Sequence, residues 1–321
     1  MRIVFVVVLV VLGALGQADC RNLVPARNLP AVPDGQWSMA TLNLWRLRDD
    51  VRDGGLDDPL DTDTLNGRLD ALAAYISGPL QGPSLLALQE VENRRLLEAL
   101  AERLKHQGLT YQATLLEGND PAGMDVGVLS RTPVHIAHVQ ALFAEQRFAG
   151  HALYSRPPLQ LVLDSPWPLK VIVVHMRSAR GLEKEWVRVK RQQQAALLAD
   201  WAARQQGALV VLGDFNSGQG AGYFSDSYQR FARSGLYDVW QRLPESERYS
   251  FRYRCRPSAL DHIWVNKELQ ADLDGVAVTR GNAGRYRQLY DSQGRDVVSD
   301  HEALSVTLPL KRGSSQGMDR K

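Results

Sequence analysis

Asp214 and Asn216 lie two residues apart in the segment GDFN, directly after the apolar run Leu209–Leu212. In an extended strand end that spacing turns both side chains to one side and Phe215 to the other, into apolar packing. A carboxylate beside an amide is a poor pair for a core but a good holder of an attacking water. The carboxylate orients or deprotonates the water, and the amide donates to an oxygen that gains charge, such as a non-bridging phosphate oxygen. The same two residue types also build ordinary turns, so the pair gains its weight from company.

That company is spread along the whole chain. Asn43 stands in TLNLW, Glu90 in ALQEVEN, His175 in VIVVHMRS, Asp261 in SALDHIWV, and Asp300 with His301 in VVSDHEAL. Nearly every one sits at the end of a short run of Val, Leu and Ile, where layered α/β proteins deliver side chains into a shared crevice. Glu90 can serve as a hard oxygen ligand for magnesium, or as an acid near a helix N-terminus. Asn43 supplies a neutral oxygen for the same ion. A lone histidine such as His175 is more often structural than catalytic. A histidine held by a buried carboxylate is suited to proton transfer, and Asp261 with Asp300-His301 supplies those groups. His262, beside Asp261 on a strand, should face the opposite side and pack.

These residues need elements to position them. Strand-like runs occur at Trp37–Leu44, Leu85–Leu88, Val126–Ser130, Leu159–Leu163, Val171–Val174, Ala208–Leu212, Leu260–Val265 and Ala303–Leu308. Helical periodicity occupies Asn66–Ile76, Asn93–Leu104 and Val187–Ala203. The stretch Arg48–Thr64, with seven aspartates and two adjacent glycines, reads as a mobile, solvated acidic loop without fixed metal-ligand spacing. The expected organisation is a signal segment (1–18), an extended lead-in (19–36), one catalytic domain (37–310) and a Gly-, Ser- and charge-rich tail (311–321).

Composition bounds the function classes. With 321 residues, 44% of them hydrophobic, the chain can bury a sizeable core. A formal charge of +2 provides no global basic field, so any polyanion must be attracted locally. Candidate arginines are Arg177, Arg180, Arg188 and Arg191 in one region, and Arg252, Arg254 and Arg256 in another. Arg2 precedes the apolar stretch Ile3–Leu15, and Gly16-Gln17-Ala18 offers small residues where a signal peptidase reads. The stretch is shorter than the ~20 residues that span a bilayer, which favours cleavage and export to the periplasm or medium over a membrane anchor. A lipoprotein at Cys20 ranks third. Cys20 and Cys255 could pair in an oxidising compartment or stay apart.

In order and content these segments resemble the endonuclease/exonuclease/phosphatase superfamily, the deoxyribonuclease-I-like proteins, in particular its secreted bacterial members. The resemblance covers Trp37 to Leu310 and rests on the Asn43 segment, QEVEN, H-x-x-S, GDFN, LDH and SDH. It implies an α/β fold of α+β type: a four-layer sandwich of two packed mixed β-sheets flanked by helices. It also implies a divalent-metal phosphoesterase site at one edge. Asn43, Glu90 and Asp300 would lie at the metal, Mg2+ with Mn2+ or Ca2+ as alternatives. Asp214 would orient the water, Asn216 and His175 would stabilise the transition state, and His301 would move the proton with Asp261 as its partner. Arg177, Ser178 and Arg180 would meet the substrate.

Some positions depart from the pattern: Val174 stands where Asn is common and Cys255 where Gly is common. The acidic partner of His175 is open between Glu117 and Asp125. The leading expectation is an exported, monomeric metal-dependent nuclease acting on DNA or RNA, with no stable protein partner. The alternatives are a phospholipid or small-phosphoester hydrolase, which would touch a membrane, and an inactive phosphate-ligand binding protein.

Overall fold

The computed structural model describes residues 25–52, 56–220, 222, 224–253, 256–282 and 298–312. The signal segment, Cys20, Arg254, Cys255 and residues 313–321 of the tail lie outside the described residues. In chain order the strands are β1 (Gln36–Leu47), β2 (Leu85–Val91), β3 (Gln112–Leu115), β4 (Asp125–Ser130), β5 (His135–Ala141), β6 (Arg147–Phe148), β7 (His151–Ala152) and β8 (Leu159–Ser165). They continue as β9 (Leu169–His175), β10 (Leu209–Asp214), β11 (Tyr237–Asp238), β12 (Phe251–Tyr253), β13 (Arg256–Ser258), β14 (Asp261–Val265), β15 (Gly275–Val278) and β16 (Leu304–Pro309). The helices are α1 (Thr62–Ser77), α2 (Arg94–His106), α3 (Glu185–Ala203), α4 (Asp226–Ala232) and α5 (Lys267–Gln270).

Two six-stranded mixed sheets form, in the orders β15-β16-β1-β2-β4-β3 and β11-β14-β10-β9-β8-β5. Each holds one parallel pair, β1/β2 in the first and β9/β10 in the second, with antiparallel neighbours. Parallel strands end together, and an antiparallel partner begins where its neighbour ends. The C-termini of β1, β2, β9 and β10 therefore share their sheet edges with the starts of β14 and β16. This topology gathers the six polar segments.

Side-chain parity builds the layers. Trp37, Met39, Leu85, Ala87, Val171, Val173, Val210, Leu212, Ile263 and Val265 fill the space between the sheets. Alternate residues such as Ala40, Leu42, Leu86 and Leu88 pack outward against Leu69, Leu72, Leu97 and Leu100 of α1 and α2. On the other side Ile172, Val174, Leu209 and Val211 pack against Ala195, Leu198 and Phe231 of α3 and α4. The result is a four-layer α/β sandwich. Full burial of each Leu or Val contributes roughly 1.5–3 kcal/mol, so the sandwich carries the stability and its edge can hold strained, mutually repelling groups.

Helix starts follow local chemistry. Asp61 caps α1 by accepting from Thr64 N at 2.9 Å, and Asn93 caps α2 by accepting from Leu96 N at 3.1 Å. Among the described residues no helix is long and apolar enough to cross a membrane.

The eight expected strands and three expected helices all form, most of them longer than their apolar runs. The edge strands β3 and β5 escaped the sequence because QATL and HIAHVQA bury little and carry no clean alternation. The acidic stretch Arg48–Thr64 is less free than its composition suggests. Asp49 and Asp57 are buried, and α1 already begins at Thr62. The Asp49 carboxylate accepts from Val51 N at 2.7 Å, Asn93 Nδ2 at 2.8 Å and Arg95. The lead-in is pinned as well: Leu29 is buried and Arg27 forms a β-bridge with Arg280.

Candidate active site

Asn43, His175, Asp214 and Asp261 share the parity of the inward-facing apolar residues on their strands and form the polar ends of those ladders. Asp214 is the cross-strand partner of both His175 and Asp261. Between Leu212 and Asp214 only glycine fits: Gly213 has φ +135°, and a Cβ there would stand 2.0 Å from the Val174 carbonyl oxygen.

Glu90 has the opposite parity and should point toward the helices. A register shift between Gln89 and Val91, with Glu90 at φ 59°, re-aims it into the cleft. There Asn43 Nδ2 donates to Glu90 Oε1 at 3.2 Å and to Asp214 Oδ2 at 3.1 Å. The second Glu90 oxygen accepts from Arg46 N at 2.9 Å, and Asn43 Oδ1 accepts from Trp45 N at 2.8 Å. Trp45 and Arg46 are themselves left-handed, at φ 48° and 53°.

Arg68, on α1, holds this corner. It donates to the carbonyls of Leu44, Trp45 and Arg46 at 2.7, 3.0 and 3.0 Å, with its guanidinium 5.2 Å from the Trp45 ring centre. No feature of the helical pattern marks it. Arg68→Ala is expected to cost about 1–3 kcal/mol of stability by stripping three carbonyls of a charged donor. Because Asn43 and Glu90 then shift, kcat should fall roughly 100-fold. Arg68→Lys, which keeps charge without the fork, should rescue only part; thermal melts and steady-state kinetics check both.

His301 Nδ1 lies 2.6 Å from Asp261 Oδ2, and its Nε2 is 3.8 Å from Asp300 Oδ1. Ser299 Oγ ties the dyad down, donating to the Asn43 carbonyl and accepting from His301 N at 2.9 Å. Burial alone would lower the His301 pKa, but Asp261, Asp300 and Asp214 outweigh it and hold the ring's pKa well above the usual value. His175 is the reverse: burial, then Arg156 and His301, push it well below the usual value. Its Nε2 faces Asp214 Oδ2 at 3.6 Å and Glu90 Oε1 at 3.8 Å, while Nδ1 is buried without a hydrogen-bond partner among the described residues. The Nε2 edge of the neutral ring thus faces the cleft carboxylates.

For the cleft carboxylates, the positive charge of His301 does not offset burial. Burial, then Asp261, pushes Asp214 up to about 7, and burial, with Glu90 adding to it, pushes Asp300 up to about 6. Asp261 Oδ1 is buried without a hydrogen-bond partner among the described residues. Such an uncompensated oxygen set fits a divalent cation. Atoms of Asp214, Asp261 and His301 lie within 4.8 Å of one another, but an imidazolium already bonded through Nδ1 is a proton donor rather than a ligand. Glu90 and Asp300 are near enough for Glu90 to raise the Asp300 pKa.

Other expectations need correction. The strand ends at Asp214, and Asn216 is left-handed at φ 50°; its Nδ2 donates to the Met176 carbonyl at 3.1 Å while its N–H donates to Asp214 Oδ1 at 2.8 Å. Phe215 packs in the outer core as expected, and so does His262, between Phe215, Tyr228 and Trp264 and bonded to Asp238 at 3.0 Å. Arg191 is buried, stapling the carbonyls of Arg177, Asn216 and Phe224. Arg188 serves the Leu182 and Glu183 carbonyls, and buried Arg252 lies over Tyr249, so none of these three is a free phosphate contact. Arg180 is exposed, and Ser178 and Arg177 are half-buried beside His175. Arg156, missed in the sequence, donates to the His175 carbonyl at 3.4 Å and to Asp120 at 3.0 Å.

Neither Glu117 nor Asp125 bonds to His175; they face each other. Burial pushes the Asp125 carboxyl up to about 8, with Glu117 and Asp120 adding to it against the Gly118 N–H. A carboxyl with a folded pKa above its unfolded value of about 3.9 keeps its proton longer in the folded state. Stability therefore falls as pH rises from about 4 through about 8. Asp125→Asn mimics the protonated form, so its melting temperature should drop less between pH 5 and pH 8.5, by at least roughly 3 °C.

The Endonuclease/Exonuclease/phosphatase family model matches residues 40–301. No curated protein sequence matches significantly. Among solved structures, an AP endonuclease from Archaeoglobus fulgidus superposes with a TM-score of 0.61 at 16% identity, covering 85% of this chain and 99% of that one. The 3′ phosphatase NExo from Neisseria, bound to a product DNA hairpin, gives 0.58 at 20% identity, with 84% and 98% covered. TDP2 from D. rerio, complexed with a single-strand DNA product, gives 0.56 at 19% identity, with 85% and 99% covered. These likenesses agree on the sandwich, and the family match spans the segments from β1 to His301. The chain belongs to the endonuclease/exonuclease/phosphatase family.

Proposed function

We propose that this phosphoester hydrolase is a divalent-metal-dependent phosphodiesterase acting on nucleic acid. The observation that carries the reading is the His301–Asp261 dyad at 2.6 Å, facing Asp214 across one sheet edge. A raised histidine and a carboxylate near neutrality make complementary acid and base. Asp214, fixed by Asn43 and Asn216 N, takes the proton of the attacking water. His301, oriented through Nδ1 by Asp261, gives its Nε2 proton to the leaving oxygen, and the proton that Asp214 took from the water returns the pair to its starting state. Neutral His175 donates from Nε2 to a non-bridging oxygen, and the second Asn216 amide proton does the same. Glu90 and Asp300, with Asn43 beside them, would hold Mg2+, with Mn2+ or Ca2+ as substitutes. The ion would offset charge on the phosphate oxygens and so ease attack.

Two structural neighbours were solved with DNA, which favours a nucleic acid over a lipid. Half-buried Arg177 and exposed Arg180, beside Ser178, offer the local attraction that the near-neutral chain lacks overall. The apolar stretch Ile3–Leu15, read as an export signal, supports an activity outside the cytoplasm. The test is hydrolysis of plasmid DNA, RNA, sphingomyelin and bis-p-nitrophenyl phosphate by residues 19–321, with and without EDTA. Magnesium-dependent degradation of a nucleic acid supports the reading; cleavage of the lipid alone overturns its substrate.

A further inference from the structure

Beside His175 lies a group of cations that the catalytic reading leaves without full use. Arg156 lies close enough to Arg177 and Lys190 to disfavour their charge. The Arg177 pKa is lowered by burial and then by Arg156, and that of Lys190 by burial and then by Arg177 and Arg156. Asp120 neutralises Arg156, but among the described residues neither Arg177 nor Lys190 is paired with a carboxylate. Lys190 spends its ammonium on the Ala152 carbonyl at 2.8 Å. Arg177 has no such outlet: its Nε is buried without a hydrogen-bond partner among the described residues.

Arg177 is nevertheless rigidly placed. Its N–H donates to Gln194 Oε1 at 3.1 Å, its carbonyl accepts from Arg191, and its guanidinium sits 4.7 Å from the centre of the Trp186 ring. Trp186, in the first turn of α3, is 49% exposed. Lone exposed tryptophans need no explanation, but this one flanks an unpaired arginine two residues from a catalytic histidine. Its neighbours Glu183, Lys184, Glu185 and Arg188 make the surface charged rather than apolar, unlike a membrane-inserting patch.

We propose that Arg177 and Trp186 form a nucleotide subsite next to the scissile phosphate. Arg177 receives the flanking phosphate, and Trp186 offers indole surface for the attached base to stack upon. An unpaired guanidinium gains a charge-assisted contact, and stacking on an indole accepts any base. The subsite rests on the nucleic-acid reading above, and it gives that reading a preference for unpaired strand, whose bases can splay onto the ring.

The experiment measures binding without turnover. A fluorescein-labelled single-stranded oligonucleotide is titrated with the full chain in EDTA at several salt concentrations, with melting temperatures confirming that each variant folds. Trp186→Ala should weaken binding roughly 10-fold with an unchanged salt slope, Trp186→Phe should recover most of it, and Arg177→Gln should reduce the slope by about 0.7. No binding by the wild type, affinities within two-fold in both Trp186→Ala and Arg177→Gln, or binding only to sphingomyelin–phosphatidylcholine vesicles would each overturn the subsite. Wild-type binding with these variant effects, but without cleavage of the strand when Mg2+ is restored, sinks the nuclease and leaves the subsite standing.

Discussion

Asp214→Ala is expected to lower phosphodiester hydrolysis by roughly 10²–10⁴-fold while the protein stays folded. The carboxylate is fully enclosed, accepts from Asn43 and Asn216, and faces Asp261 and Glu90 with only partial relief from His301. Its removal strands two donors but also relieves a buried repulsion, so the melting temperature should move little. His301→Ala should cost a similar factor, because the proton for the leaving oxygen has no other source near Asp261. Combining the two should cost much less than the product of the single losses, since water activation and leaving-group protonation serve one step. Single-turnover rates on bis-p-nitrophenyl phosphate decide the matter, and a near-wild-type rate in either single variant rules the mechanism out.

Metal removal should be equally severe. Protein stripped with EDTA should show no hydrolysis above background, and Mg2+ should restore it. Glu90→Gln should raise the Mg2+ concentration for half-activation by at least about 10–100-fold, the range typical of losing a group that supports a bound ion. Glu90 reaches the cleft only through its left-handed backbone and the Arg46 N–H, so the amide would sit in the same place with one negative charge fewer. Full activity in EDTA, or an unchanged Mg2+ dependence in Glu90→Gln, would show that the carboxylates serve something other than a cation.

Much of this site was legible before the fold was known. Asn43, His175, Asp214 and Asp261 end apolar runs or begin them, and alternation alone puts them on the inward face. Glu90 was found for an incomplete reason. Its motif marked it, yet its parity is wrong, and only the bulge at Gln89–Val91 corrects the aim. Arg68 and Arg156 were invisible because their partners are backbone carbonyls and a distant aspartate, which no spacing encodes. Arg191 and Arg252 misled for the opposite reason: a charge in sequence looks like surface until its stem and donors are seen buried. The Arg48–Thr64 stretch misled through composition, since Asp49 is held by Asn93 and Arg95 from the far side of β2.

The two-sheet arrangement turns the molecule into a caliper. Asn43 and Glu90 ride on one arm, His175, Asp214 and Asp261 on the other, and the gap between the arms is set by the side chains stacked behind them. Ala87, Val173 and Leu212 are the shims in that instrument. They carry no polar group, yet their volumes set how far the polar side chains of one arm stand from those of the other. Evolution can thus retune the chemistry by a methylene inside the sandwich, without altering one polar residue at its rim.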